Sequence, residues 1–225
     1  MEHEGWNYDN ARINGKNVFF FMDTSHINEG IKKKLFSELE LKINKGFFQL
    51  LFVEGFSGRY NPKFPKDLSE KEFLEQCSDD TQKYSPIKHL SFRLQQNKNT
   101  DFYIHGIEDL EAYEKQLAII SLIVEFAKKE KSGTLSYEEY MASLMANKIF
   151  DEYTDERSII VARNIIKNMN EWNVNTAGVV FGEHHYDLMV KELLKENIGT
   201  ISYYPGKITS GHEEIFEYVA SILEI

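Results

Sequence analysis

Five short apolar runs, each closed by polar residues and separated by stretches of helical periodicity, constrain this chain more than any other feature. They are Asn17–Met22, Phe47–Val53, Phe102–His105, Thr176–Phe181 and Thr200–Tyr204, rich in aromatic and β-branched residues. Runs of this length and composition read as buried strands. Between them the spacing predicts helices. Ile31, Leu35 and Leu39 recur at helical intervals from Asn28 to about Leu41, stopped by Gly46. Leu110, Tyr113, Leu117, Ile120, Val124 and Ala127 paint a second stripe, ended by Ser132-Gly133. Ser136 to about Phe150 opens on a capping-box pattern, and a further helix begins near Thr154 with Ile159, Ala162, Ile166 and Met169 inward. Tyr186–Asn197 and Glu213–Leu223 complete the set. Strand–helix alternation predicts an α/β fold, a three-layer sandwich with a mostly parallel sheet flanked by helices.

With 225 residues the chain suits a single domain, 1–225. A polar insertion or lid spans about 57–100, holding three of the four prolines and a short helix at Ser69–Cys77. A weak two-half symmetry is visible: strand, polar tetrad ending in His, helix, strand occurs at Asn17–Val53 and again at Thr176–Tyr204.

Charge narrows the function. The 36 acidic against 26 basic residues give a net −10, which disfavours nucleic acid and anionic membrane surfaces as partners. A small-molecule or peptide substrate is the expected partner. The single cysteine, Cys77, excludes an internal disulfide and a four-thiolate zinc site, and fits a reducing compartment. No secretory leader or membrane-length apolar run is visible, so a cytoplasmic protein is expected.

In open α/β sheets ligands bind beyond the carboxyl ends of the strands. Asp23 and His26 follow the first run and Glu54 the second; His105 closes the third, with Glu108 and Asp109 after it, and Glu183, His184 and His185 follow the fourth. A lone His after a strand is commonly a hydrogen-bonded loop residue. Four of seven at such positions, with carboxylates, point instead to a cleft that binds a divalent metal or moves protons. Either task suits hydrolysis of an ester or amide by activated water. No HExxH, GxGxxG, P-loop or GxSxG pattern is present.

Glu156-Arg157, Ala162-Arg163-Asn164-Ile165 and Val179-Val180-Phe181-Gly182-Glu183-His184-His185, followed by Leu193-Leu194 and Ile198-Gly199-Thr200-Ile201, resemble the TraB/TIKI family. That family shares its fold with the erythromycin esterase and ChaN-like proteins. Its pattern is a GxxH after the first strand, a Glu ending the second, an Arg opening a late helix, and a second GxxH after a late strand. Here Asp23-Thr24-Ser25-His26, Phe52-Val53-Glu54, Glu156-Arg157 and Gly182–His185 occupy those places. Asp23 stands where the family has glycine, which either weakens backbone access at the turn or adds a ligand. Arg163 competes with Arg157, and His184 with His185; the motif register favours Arg157 and His185.

The resemblance implies a hydrolase, possible members of the superfamily being metal-dependent peptidases or water-activating esterases. His26, Glu54, Arg157 and His185 would be catalytic, surrounded by Asp23, His105, Glu183 and His184. His26, Glu54 and His185 would hold a divalent metal (Mn, Co or Zn) if one is used. The alternative implied by the ChaN-like branch is a non-catalytic module binding heme or metal, or an interaction domain on the same fold.

Overall fold

The computed structural model describes residues 5–24, 29–55, 57–60, 67–76, 90–93, 96 and 102–206. His26, most of the 57–100 insertion and the helix expected at Glu213–Leu223 lie outside the described residues. In chain order the elements are β1 (Gly5–Asn10), β2 (Asn17–Asp23), α1 (Glu29–Asn44), β3 (Leu50–Val53), β4 (Ser57–Tyr60), α2 (Glu70–Gln76), β5 (Tyr103–Ile107), α3 (Leu110–Lys131), α4 (Tyr137–Glu171), β6 (Thr176–Gly182), a 3₁₀ turn (Glu183–His185), α5 (Tyr186–Lys195) and β7 (Gly199–Tyr204).

The strands form one seven-stranded mixed sheet in the order β1-β7-β2-β6-β3-β5-β4. The five inner strands are those legible as apolar runs, and they are mutually parallel. β1 and β4 are added antiparallel at the two edges. Neither edge strand has an apolar run, since an edge strand covered on fewer sides has less to bury.

Side-chain parity divides the core into two. Val18, Phe20 and Met22 of β2 point to the face covered by α4 and α5, where they meet Val161, Ile165, Met169, Met189 and Leu193. Phe19 and Phe21 point to the other face, against Leu35, Leu39 and Ile43 of α1. Strands apolar on both faces require helices on both, and the three layers follow.

The connection from β2 through α1 to β3 steps over β6, and the connection from β6 through α5 to β7 steps back over β2. The two sequence halves therefore interleave, and their crossovers leave the adjacent β2–β6 pair in opposite directions. Such a reversal opens a crevice at the carboxyl ends of that pair, the place where α/β sheets receive ligands.

Two helix expectations are corrected. The segments read as separate helices, Ser136–Phe150 and one from Thr154, form the single 35-residue α4, because Asp151-Glu152-Tyr153 contains no glycine or proline to interrupt it. Its start has the expected capping box: Ser136 accepts from the Glu139 N–H, and Glu139 accepts from the Ser136 N–H. The stripe on α3 is misphased. Of its members Val124 is buried, but Leu110 and Leu117 are exposed, and the helix buries Gln116, Ile123 and Phe126 instead. Trp172, just past α4, packs on Tyr103 at the start of β5, while Arg157 lies at the strand ends. The first half of α4 and its partner α3 thus stand beyond the carboxyl edge of the sheet, with their own small core of Ile123, Phe126 and Ala146. Among the described residues no helix is long and apolar enough to cross a membrane.

Candidate functional site

Arg157 is the centre of the site. It lies on the inner face of α4 with 4% of its side chain exposed. A guanidinium in so dry a place needs its donors satisfied and its charge matched. Its Nε donates to Glu108 Oε2 at 3.0 Å, and its Nη2 donates to Glu108 Oε1, a two-point contact. Nη2 also donates to Glu54 Oε1 at 2.6 Å. Nη1 donates to Gln116 Oε1 at 2.6 Å and faces His185 Nε2 at 3.3 Å. The rings of Tyr113 and Phe181 close over the guanidinium, 4.9 and 5.2 Å from its carbon.

Each partner is delivered by a different element. Glu54 follows β3, Glu108 follows β5, Gln116 is one turn and a half into α3, and His185 ends the 3₁₀ turn after β6. Backbone amides at the same strand ends hold the carboxylates. Gly182 N–H donates to Glu54 Oε2 at 3.1 Å, and Gly55 N–H donates to Glu108 Oε1 at 3.2 Å. Gln116 is itself fixed by Thr154 Oγ1, at 2.7 Å.

His185 has a defined tautomer. The Ser158 hydroxyl donates its one proton to the Thr154 carbonyl at 2.6 Å, so toward His185 Nδ1, 2.8 Å away, it can only accept. Nδ1 therefore carries the ring proton, and the Nε2 lone pair faces Arg157, which has only donors. Burial drives the His185 pKa down to about 4, against the pull of Glu54 and with the help of Arg157, so the ring is neutral at physiological pH.

The two carboxylates differ. The Glu108 side chain is fully buried, and that burial raises its pKa although Arg157 opposes the shift. Glu54 keeps 28% of its side chain exposed and is the group of the cluster that solvent reaches. Burial works against the charge of Arg157, but Glu54 and Glu108 outweigh it and hold the guanidinium well above the ordinary arginine value. Tyr113 is raised by burial and then by Glu54, so its hydroxyl stays protonated.

Of the residues expected from sequence, Glu54, Arg157 and His185 meet within hydrogen-bonding distance. Arg163 and His184 are exposed, which leaves the buried places to Arg157 and His185. Asp23 ends β2 directly beside Gly182 of β6, on the rim. Glu183 stands on the same rim, half-buried, its carboxyl raised by burial and by Asp187. His105 is not brought to the site: its ring lies 6.1 Å from Trp172 and 6.2 Å from Phe52, within the sheet layer. It sits inside β5, not after it, because that strand runs on through Gly106 to Ile107. Asp109 caps α3, accepting from the Ala112 N–H. Glu108, Gln116, Tyr113 and Ser158 are the additions. Glu108 was visible after the third run; Gln116 had a signal only as a polar residue on the inner side of a helix.

Among the described residues no group of three His, Cys, Asp or Glu side chains is arranged to hold a metal ion. The two described members of the expected metal set, Glu54 and His185, both turn their acceptors to Arg157. A cation placed between these two would have to displace the guanidinium. No family model, no curated protein and no solved structure matches the chain.

Proposed function

We propose that the chain is a divergent member of the TraB/TIKI and erythromycin esterase/ChaN-like superfamily, and a hydrolase of ester or amide bonds acting on a small molecule or peptide. One observation carries the reading. Three residues named from short, separated motifs, Glu54, Arg157 and His185, come together at the carboxyl ends of β3, β5 and β6, beside the crossover reversal.

In this reading Glu54 is the base. Arg157 and the Gly182 N–H each take one of its oxygens, which fixes the carboxylate, and Glu54 is the member of the cluster that solvent reaches. A water held there loses a proton to Glu54 as its oxygen adds to the substrate carbonyl, and the tetrahedral adduct then breaks its bond to the alcohol or amine, which leaves with the proton returned by Glu54. Arg157 acts through Glu54, and His185, anchored by Ser158, completes the seat of Arg157. A cytoplasmic location goes with the single cysteine.

A binding module without turnover is the second reading. What favours it over turnover is that the guanidinium of Arg157 and both ring nitrogens of His185 are engaged by the protein itself, so neither is presented to a substrate; the same contacts weigh against His185 as a ligand. Heme or metal uptake through His185 would require Arg157 to leave Nε2.

Hydrolysis of p-nitrophenyl acetate and of the matching anilide separates the two. The hydrolase reading expects turnover by the wild type and a loss of about 100-fold or more in kcat for Glu54→Gln, the scale of a general base. Stoichiometric heme uptake, or Mn, Co or Zn found by elemental analysis, with no hydrolysis by the wild type, would support the binding module and rule out the first reading.

A further inference from the structure

The first half of α4 is apolar on two sides, and among the described residues only one of them is covered. Ala146 is buried against α3 beside Ile123 and Phe126, with Phe150 packed alongside. On the outward side stand Tyr137 (73% exposed), Tyr140 (46%), Met141 (45%), Leu144 (48%) and Met145 (65%). Their spacing of three and four residues makes one continuous stripe over more than two turns. Single exposed apolar residues are ordinary, but five adjacent on one helix are not.

We propose that this stripe is a self-association surface, occupied by the same stripe of a second copy in antiparallel orientation. The charges at its two ends favour that occupant. Glu138 and Lys148 are both centred on position 143, as are Met141 and Met145. The antiparallel register that sets Met141 against Met145 of the second copy therefore sets Glu138 against Lys148, and by symmetry does so twice. Lys148 is free to make that exchange, since its contact with Glu152 is a 3.8 Å pair between two well-exposed side chains. A membrane surface is a poorer match, because the net charge of −10 opposes anionic lipid.

The size of the surface sets the strength. Five side chains of roughly 200 Å² each, about half exposed, give on the order of 1,000 Å² over two copies, the lower bound of specific interfaces. A reversible dimer is expected, and the two copies would join their α3–α4 pairs into a four-helix layer.

Sedimentation equilibrium of the full chain from roughly 1 to 100 µM, a range that brackets weak association, tests it. The weight-average mass is expected to climb from 26.3 kDa toward twice that value. Met141→Lys and Leu144→Glu are expected to hold it at the monomer. Glu138→Lys or Lys148→Glu alone is expected to weaken association about tenfold, and the double exchange Glu138→Lys/Lys148→Glu to restore it. A wild type that stays monomeric, whatever else the stripe binds, overturns the proposal. So does a dimer indifferent to all four substitutions, or one that the double exchange fails to restore. None of these residues touches the Arg157 site, so failure here leaves the hydrolase reading standing.

Discussion

Arg157→Met is expected to destabilise the protein by about 3–5 kcal/mol, the cost of removing one partner from a buried ion pair. Methionine keeps much of the volume but none of the donors. Glu108, with a fully buried side chain, would lose both of its arginine contacts and retain only the Gly55 N–H. Gln116 Oε1 would lose its donor as well. The stranded carboxylate, more than the lost attraction, supplies the penalty, so the remedy is specific. Arg157→Met/Glu108→Gln is expected to recover most of the loss, because a neutral amide costs far less to bury than a charge. Urea unfolding of the two single variants, the double variant and the wild type gives the cycle. If Arg157→Met costs less than about 1 kcal/mol, the range of exposed ion pairs, the arginine is not buried as described.

His185 makes a second large contribution, with a sign that can be worked out. Its folded pKa, about 4, lies below the ordinary value of 6.5. Between those values the unfolded chain takes up a proton and the folded chain does not. Stability is then lost as pH falls through that window, by up to about 3 kcal/mol at its lower end. Glu108 works the other way, since burial raises its pKa and the folded state binds that proton more readily. Comparison with a variant isolates the histidine. His185→Gln is expected to flatten the fall in stability between pH 6.5 and 4 relative to wild type, measured by unfolding at a series of pH values. Equal slopes for the two proteins would mean that His185 titrates normally and is not held neutral.

How much of this was legible in the sequence follows from what each residue must bury. β2, β3 and β6 are apolar on both faces, and such strands announce themselves. β1, with Gly5-Trp6-Asn7-Tyr8-Asp9-Asn10, and β4, with Ser57-Gly58-Arg59-Tyr60, owe their strand state to backbone pairing with a neighbour, which leaves no trace in hydrophobicity. On α3 the apolar residues nearly surround the helix, so periodicity alone could not choose the buried face. The choice is made by α4 and by the need of Arg157 for Gln116, a long-range contact across 41 positions. Glu54 and His185 were found because they stand directly after strands, where side chains reach the crevice. Ser158 was not, because a serine next to an arginine in a helix carries no chemistry until the histidine arrives beside it.

The fork of Arg157 is one planar group that serves Glu54, Glu108, Gln116 and His185 at once. Lysine at that position would keep the charge and lose the fork. The direct measurement is kcat for p-nitrophenyl acetate in Arg157→Lys and wild type, with near-ultraviolet circular dichroism to compare only folded protein. A fall of about 100-fold or more, the scale expected when a general base is released from its orientation, is predicted. A folded Arg157→Lys variant that turns over at the wild-type rate would contradict the account.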